Sequence, residues 1–164
     1  MRGARHAAVL VPLYLDAAGA PHAVFTERRA DLRRHAGEIS FPGGRREEQD
    51  PDLWATALRE TEEEIGLPPD AVELLGALRP TPTFVTDYAI YPFVGLIEPG
   101  FSWVLAQAEV GQVIEVSLAS LREGHARRRL IRHGLPIRTH TYEVDGHLIW
   151  GATARIVADL LARV

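Results

Sequence analysis

The sequence predicts a mixed α+β fold, within the broad α/β class, in which helices pack on a β-sheet. Three observations predict it. Strand-like apolar runs are scattered along the chain, only two stretches repeat apolar residues at helical spacing, and the two kinds of element do not alternate as regular βαβ units. The 164 residues, 46% of them hydrophobic and 24% charged, are expected to form one globular domain spanning 1–164.

The predicted elements follow in order along the chain. The runs "AAVLVPLYL" and "HAVFTER" are typical of strands, and the turn "DAAGAP" separates them. A helix is predicted from about 52 to 65, where Gly66 and the two prolines beyond it end the pattern. Further strands are predicted at "VELLGAL", "YAIYPFVGLI" and "QVIEVSL".

The last third of the chain carries a hairpin signal and a second helix. Asp145-Gly146 lies between two alternating runs, and this pair tolerates the positive φ of a tight turn. A C-terminal helix is predicted because apolar residues recur at helical spacing at Ile156, Val157, Leu160, Leu161 and Val164.

The composition of the chain limits the partners and sites that can be expected. The net charge of −4 and the pI near 6.0 do not indicate a nucleic-acid partner. The absence of cysteine excludes disulfides and thiolate metal sites and suits a reducing, cytoplasmic location. No apolar run reaches membrane-spanning length, so no membrane partner is expected. The start "MRGARHAAVLVPLYLD" imitates a signal peptide, but Pro12 and the lack of a small-residue cleavage site favour a first strand.

Basic residues are locally concentrated, which leaves a local anionic ligand open. One group consists of Arg28, Arg29, Arg33 and Arg34. The other, in "HARRRLIRHG", consists of Arg127, Arg128, Arg129 and Arg132, and we expect it to be a solvated surface segment.

In the predicted helix "TALRETEEEIGL" the acidic residues lie on different faces. At about 100° per residue, Glu60, Glu63 and Glu64 share an arc of roughly 100°, whereas Glu62 points elsewhere. Arg59 precedes Glu63 by four residues and can pair with it along the helix. Geometry alone leaves two interpretations open: a solvated helical face, or carboxylates that repel one another until a hard divalent cation binds.

The segment before this helix favours the second interpretation. Gly43-Gly44, an acid six residues later, and the final "RETEEEIGL" together resemble the Nudix box, G-x5-E-x7-R-E-U-x-E-E-x-G-U, where U is bulky and apolar. Two departures are present: Asp50 stands in place of the first glutamate, with one extra residue before Arg59, and Thr61 replaces an apolar residue.

The resemblance implies a Nudix-like fold, a mixed sheet sandwiched between helices, and a pyrophosphatase that hydrolyses acid anhydrides of phosphorus. It implies Mg²⁺ or Mn²⁺ bound by Glu60, Glu63, Glu64 and Gly43, and a catalytic set that includes Arg59. The family often takes a further base from a separate loop. Glu109 is the first candidate for that base and Glu115 the second.

The residues upstream of the box resemble the coenzyme A branch of Nudix pyrophosphatases, of bacterial type. The matching positions in "FTERRADLRRHAGEISFPGG" are Thr26, Arg28, Arg33, Gly37, Phe41, Pro42, Gly43 and Gly44. The branch implies a small-molecule substrate, coenzyme A or an acyl-coenzyme A, cut to 3′,5′-ADP and 4′-phosphopantetheine. Arg28, Arg33 and His35 are the candidate phosphate ligands, because arginine makes bidentate contacts with phosphate. The family also allows homodimers.

Three other functions remain open at this point. The substrate could be another nucleoside diphosphate derivative, such as NADH or ADP-ribose. The chain could be a catalytically silent nucleotide-binding domain, although the complete set of glutamates argues against that. An RNA pyrophosphatase is disfavoured by the acidic balance of the chain.

Overall fold

The computed structural model describes residues 5–33, 37–83, 87–132 and 134–164. Its strands are β1 Arg5–Leu15, β2 Pro21–Arg28, β3 Ile39–Ser40, β4 Gly43–Arg45, β5 Glu73–Ala77, β6 Thr81–Pro82, β7 Tyr88–Leu96, β8 Val110–Ser117, β9 His125–Arg132, β10 Leu135–Val144 and β11 His147–Ile149. Its helices are α1 Leu53–Ile65, α2 Leu118–Glu123 and α3 Gly151–Arg163, with a 3₁₀ turn at Pro69–Ala71.

The main sheet is mixed, as predicted. Its central path runs β3-β2-β1-β7-β5, with β4 beside β1, β6 beside β7 and β8 beside β2. The strands β1 and β7 are parallel over the register from Arg5↔Tyr88 to Leu13↔Leu96, and the other pairs are antiparallel. Because β1 pairs with β4 near its start and with β2 near its end, one long strand organises the whole sheet.

Helices cover both faces of this sheet, which confirms the predicted sandwich. Successive side chains of a strand point to opposite faces. Leu10 of β1 therefore packs in the cluster that contains Ala57 and Ile65 of α1. Its neighbour Val11 packs in the opposite cluster, with Val157 of α3.

The glutamate helix begins and ends where the sequence predicts. The Asp52 carboxylate accepts a hydrogen bond from the Ala55 N–H at 2.8 Å and caps the first turn. At the other end Gly66 has a φ of 77°, and its N–H donates to the carbonyl of Glu62. Glycine adopts this left-handed conformation with the least strain, so the helix stops at Ile65.

The predicted hairpin is also confirmed. Asp145 and Gly146 both have positive φ, 50° and 80°, and they connect β10 to β11. The C-terminal helix α3 follows directly, and Ile156, Val157 and Leu160 of its predicted apolar stripe are buried. Leu161 is half-buried, and Val164 lies beyond the end of the helix and is exposed. No helix within the described ranges is both long enough and apolar enough to cross a membrane.

The basic segment after residue 124 is exposed at Arg127, Arg128 and Arg129, in agreement with its prediction. It also forms a strand that was not predicted, β9, which pairs antiparallel with β10 in a second sheet of order β11-β10-β9. The sequence does not show this strand because arginines occupy consecutive positions and hide the alternation that predicts strands. The short helix α2 is likewise absent from the prediction, although the Ser117 hydroxyl caps it by accepting from the Ser120 N–H at 3.0 Å.

Candidate active site

The two glycines of β4 bring the backbone close to β1 and α1. A Cβ at Gly43 would lie 2.2 Å from the carbonyl oxygen of Ala8. A Cβ at Gly44 would lie 2.5 Å from the carboxyl carbon of Glu60. Any larger residue at either position would have to displace its neighbour, which explains in physical terms why this sequence has a glycine pair here.

A buried ion pair anchors the site. Asp50 is 4% exposed, and its two carboxylate oxygens accept from Nε and Nη2 of Arg59 at 2.8 and 2.9 Å. The carboxylate also accepts from the Thr56 hydroxyl and from the Glu47 N–H, at 2.9 and 3.0 Å. Hydrogen bonds from Arg59 hold the pKa of Asp50 far below its usual range, and Asp50 in turn raises the pKa of Arg59. This forked geometry fixes the direction of the guanidinium.

Arg59 uses its remaining donors on the helix carboxylates and on β4. Its Nη1 lies 3.1 Å from Oε1 of Glu60 and 3.3 Å from Oε1 of Glu63. The predicted pairing of Arg59 with Glu63 is therefore present, and Glu60 shares the same nitrogen. Its Nη2 also donates to the Arg45 carbonyl at 3.1 Å, which ties α1 to the end of β4.

The third carboxylate of the face, Glu64, turns towards the glycine pair. Its Oε2 accepts from the Gly43 N–H at 3.3 Å. Glu62 is exposed on a different face of α1, as predicted. As these side chains stand, no three His, Asp or Glu residues of the described ranges are arranged so that they could hold one metal ion. Glu60 and Glu63 would have to turn from Arg59 to face a common ion.

The electrostatics of the carboxylates nevertheless fit a cation. Burial raises the pKa of Glu64 to about 8, and the charges of Glu60, Glu109 and Glu63 raise it further, while the Gly43 N–H opposes them. Burial also raises the pKa of Glu60, against the lowering effect of Arg59. A hard divalent cation prefers oxygen ligands, and its charge stabilises the ionised form of carboxylates that otherwise repel one another. The donor set therefore fits a hard divalent cation.

The loop before β8 brings Glu109 to this group. Its Ala106 N–H donates to the Glu64 carbonyl at 2.9 Å, so the loop lies against the end of α1. The Glu109 N–H donates to the Ala106 carbonyl, and the Glu109 carbonyl accepts from the Arg29 N–H, both at 2.9 Å. Glu109 is one of the charges that raise the pKa values of Glu60 and Glu64.

Glu115, the second candidate for the base, lies in a different environment. It hydrogen-bonds the Tyr14 hydroxyl, which together with burial raises the pKa of Tyr14 to about 12. Its Oε2 also lies 3.5 Å from Nε1 of Trp103. Between the two candidates, the structure brings Glu109 and not Glu115 into electrostatic contact with the carboxylates of α1.

The structure describes two of the three candidate phosphate ligands, Arg28 and Arg33. Arg28 is half-buried at the end of β2, opposite Val110 in the ladder with β8, and so next to the backbone of Glu109. Its N–H donates to the Glu38 carbonyl and its carbonyl accepts from the Gly37 N–H, which closes the loop that contains Arg33. Arg33 is exposed in that loop. His35 lies outside the described residues.

Sequence reasoning did not find the role of Asp50. The Nudix-box spacing places an acid near this position but does not show that it binds both nitrogens of the Arg59 fork. The structure explains the role through Thr56, one turn before Glu60, whose buried hydroxyl needs a hydrogen-bond partner and finds it in Asp50.

Comparison with known proteins agrees with this architecture. The family model described as the NUDIX domain matches residues 4–133. An uncharacterized Nudix hydrolase NudL of Photorhabdus laumondii is 41% identical over 163 residues, which cover 98% of this chain and 85% of the relative. NudL of Citrobacter koseri, also named as uncharacterized, is 37% identical over 162 residues, covering 98% and 83%.

Solved structures share the fold at low identity. The Nudix hydrolase RenU of M. smegmatis superposes with a TM-score of 0.66 at 16% identity, covering 100% of this chain and 89% of RenU. The C. elegans Ap4A hydrolase binary complex has a TM-score of 0.57 at 19% identity, covering 69% and 80%. The NUDIX domain of Shewanella oneidensis NrtR, solved with ADP ribose, has a TM-score of 0.54 at 17% identity, covering 75% and 79%.

The fold and the carboxylate helix define a hydrolase that acts on pyrophosphate bonds, a class that generally uses divalent metal ions. The chain belongs to the Nudix hydrolase family.

Proposed function

We propose that this Nudix hydrolase cleaves the diphosphate bond of coenzyme A and its thioesters, giving 3′,5′-ADP and 4′-phosphopantetheine or its acyl form. The observation that carries the proposal is the meeting of three features at one place: the carboxylates of α1, Glu109, and the end of β2 that bears Arg28. The upstream signature that resembles the coenzyme A branch ends in the same glycine pair that contacts α1.

In this proposal Glu60, Glu63 and Glu64, with the Gly43 carbonyl, hold Mg²⁺ or Mn²⁺. When bound, the ion supplies charge neutralisation at the phosphates and lowers the pKa of a coordinated water. Glu109 accepts the proton of the attacking water, because it faces the same carboxylates from a separate loop. Arg59, fixed by buried Asp50, orients Glu60 and Glu63.

Arg28 and Arg33 supply positive charge on the substrate side of the site. Coenzyme A carries a diphosphate and a separate phosphate on its ribose, so its recognition requires several cationic contacts. His35 belongs to the same proposed set. The main-chain bonds around Arg28 hold the base of this loop beside the Glu109 backbone.

The proposal treats residues 1–164 as one domain in the cytoplasm. The family model ends at 133, but the helix beyond it contributes Ile156 and Leu160 to the core cluster that contains Phe25. Separating the last segment would therefore expose the main core. The complete lack of cysteine suits a reducing compartment.

Product analysis by anion-exchange chromatography tests the function. The protein is incubated with Mg²⁺ or Mn²⁺ and, separately, with coenzyme A, 3′-dephospho-coenzyme A, NADH and ADP-ribose. Glu64→Gln is the inactive control, and Glu62→Gln, which changes an exposed residue of the same helix, is the matched active control.

We expect 3′,5′-ADP from coenzyme A to form fastest, with Glu62→Gln active and Glu64→Gln silent. Faster cleavage of NADH or ADP-ribose would retain the pyrophosphatase but reject coenzyme A as its substrate. No cleavage of any substrate with either metal would reject the hydrolase and favour a nucleotide-binding domain.

A further inference from the structure

Glu109 lies in a short turn at residues 106–109, called here the Glu109 turn. The chain before it, at 101–106, has no regular secondary structure, and β8 begins directly after it. The N–H groups of Glu109 and Val110 both donate to the Ala106 carbonyl at 2.9 Å and close the turn. Because an isolated turn of this kind opens at a low cost in free energy, the position of Glu109 depends on what holds the turn from outside.

The end of α1 holds the start of the Glu109 turn. The Val104 N–H donates to the Ile65 carbonyl at 3.0 Å, and the Ala106 N–H donates to the Glu64 carbonyl at 2.9 Å. The last carbonyls of a helix have no partner within the helix, so these two bonds satisfy them. Both bonds lie before Gln107 and Glu109 in the chain, and those two residues need a separate support.

A cavity of about 590 Å³ borders the Glu109 turn. Leu105, Gln107 and Val110 help to line it, together with Arg29 from the loop after β2. Where a cavity takes the place of packed side chains, packing does not fix the backbone, and hydrogen bonds have to do so.

Arg29 makes hydrogen bonds to this part of the turn. Its N–H donates to the Glu109 carbonyl at 2.9 Å, and its Nη1 donates to the Gln107 carbonyl at 2.8 Å. One residue of the loop after β2 therefore holds two carbonyls of the Glu109 turn.

An ion pair fixes the direction of the Arg29 guanidinium. Its Nε donates to Oδ1 of Asp31 at 2.9 Å, and its Nη2 donates to Oδ2 of the same carboxylate. The hydrogen bonds from Arg29 hold the pKa of Asp31 below its usual value, so the pair is charged at neutral pH. All three guanidinium nitrogens thus donate to protein oxygens, and Asp31 balances the charge. This arrangement suits Arg29 to holding the turn rather than to binding phosphate.

We propose that Arg29 is a positioning residue, which holds the Glu109 turn and thereby keeps the Glu109 carboxylate beside those of Glu60 and Glu64. The catalytic part of this proposal rests on the proposed function, in which Glu109 accepts the proton of the attacking water. Arg29 acts on that step through Glu109 alone. The contribution can be large, because displacing a reacting group by about 1 Å lowers a rate by up to about 100-fold.

A double-mutant cycle at saturating substrate tests whether Arg29 acts through Glu109. We expect Arg29→Ala to lower kcat about tenfold, because the Glu109 turn loses its bond to the side chain but keeps the bond to the Arg29 backbone. Glu109→Gln should itself cost about 100-fold, and adding Arg29→Ala to it should lower kcat by less than about twofold further. Losses that multiply to about 1,000-fold would show that Arg29 acts elsewhere and would overturn the assignment.

Two further variants accompany the cycle. Arg128→Ala is the matched control and should leave kcat unchanged, since Arg128 also pairs with a carboxylate but lies in the second sheet. The Arg29 and Arg128 side chains are similarly accessible, 38% and 44% exposed. Asp31→Asn keeps the charge of Arg29 but weakens the ion pair that directs it, so kcat should fall about threefold with KM unchanged. A lower KM with unchanged kcat would assign Arg29 to the substrate phosphates and overturn the proposal.

Amide hydrogen exchange of the metal-free protein tests the hold on the turn without any turnover. We expect Arg29→Ala to raise exchange about tenfold in the segment 104–110 and to leave the middle of α1 unchanged, while Arg128→Ala matches the wild type in both. If exchange rises in this way but Glu109→Gln retains the wild-type kcat, Arg29 holds the turn and the base in the proposed function is wrong. If Arg29→Ala leaves exchange in the segment unchanged, the positioning assignment is wrong, even where coenzyme A is cut.

Discussion

Replacing Glu64 by glutamine should stabilise the metal-free protein at neutral and alkaline pH while it abolishes hydrolysis. Glutamine keeps the oxygen that accepts from the Gly43 N–H but does not ionise. The stabilisation follows from the pKa of Glu64, which burial and the neighbouring acids Glu60, Glu109 and Glu63 raise from 4.5 to about 8 in the folded chain. The folded state therefore holds this proton more tightly than the unfolded state does.

The sign and size of the effect follow by linkage. A carboxyl whose folded pKa is raised contributes stability that is fully present below its unfolded pKa and is lost as pH rises through the folded pKa. Each pKa unit is worth about 1.4 kcal/mol, so the pH-dependent loss of stability at Glu64 is at most roughly 4 to 5 kcal/mol well above pH 8. At pH 7 it is about 3 kcal/mol, because the unfolded chain ionises this carboxyl while the folded chain still holds the proton. Because Glu64 is only partly buried and its surroundings can relax, we expect Glu64→Gln to gain about 1 to 3 kcal/mol at pH 8.5 and almost nothing at pH 5.

Urea unfolding in EDTA at pH 5, 7 and 8.5 measures this difference. Glu62→Gln removes the same charge from an exposed position of α1 and should shift the midpoint little at any of these pH values. If Glu64 is one of the proposed metal ligands, adding Mg²⁺ at pH 8.5 should then stabilise the wild type more than Glu64→Gln, because the variant has lost a charged ligand. If Glu64→Gln is no more stable than the wild type at pH 8.5, or its gain does not grow with pH, the placement of Glu64 among repelling carboxylates is wrong.

Three further changes test other parts of the site. Asp50→Asn should lower the free energy of unfolding by about 3 to 5 kcal/mol, because the Arg59 guanidinium loses its buried partner. A loss below about 1 kcal/mol in urea unfolding would contradict this. Since the pKa of Asp50 is depressed, the contribution of the ion pair to stability is present above about pH 4 and is lost as the pH falls further. Gly44→Ala should reduce turnover at least tenfold with little change in stability, because the new Cβ displaces the Glu60 carboxylate. In the control Gly76→Ala the new Cβ has nothing within 4 Å, so turnover should be unchanged. Equal rates for the two variants would refute the prediction. Glu109→Gln should lower kcat about 100-fold or more, measured at saturating substrate, and a variant with wild-type kcat would remove Glu109 from the role of base.

Much of the fold could be predicted because local chemistry determines it. The bounds of α1 follow from an aspartate that caps its first turn and from Gly66, which adopts a left-handed conformation. The sorting of the glutamates follows from the helical repeat alone, and Glu62 is exposed as that geometry requires. Such features depend on residues within one or two turns of each other, so the sequence contains all the information.

The parts that were missed depend on residues far apart in the chain or on a hidden repeat. The strand β9 exists because β10 pairs with it along its whole length, and consecutive arginines hide any alternation of apolar and polar residues in β9 itself. The parallel pairing of β1 with β7, which places Arg5 beside Tyr88, joins two strands that are far apart in the chain. No local pattern encodes that meeting.

Charge balance at the candidate site connects its stability to its function. Asp50 and Arg59 neutralise each other, since each carries one charge and they are bonded through two nitrogens. Four carboxylates remain: Glu60 and Glu63 share Nη1 of the same arginine, Glu64 accepts from the Gly43 N–H, and Glu109 adds its charge from the loop before β8. The folded chain can relieve this excess by keeping a proton on Glu64 or by binding a divalent cation, and only the second state leaves every carboxylate available as a ligand. A substrate diphosphate adds further negative charge at the same place, so it cannot approach favourably until cations have bound. The repulsion among these carboxylates lowers the stability of the metal-free protein. Binding of a divalent cation relieves the same repulsion, so the stability lost without metal favours metal binding, which the proposed chemistry requires.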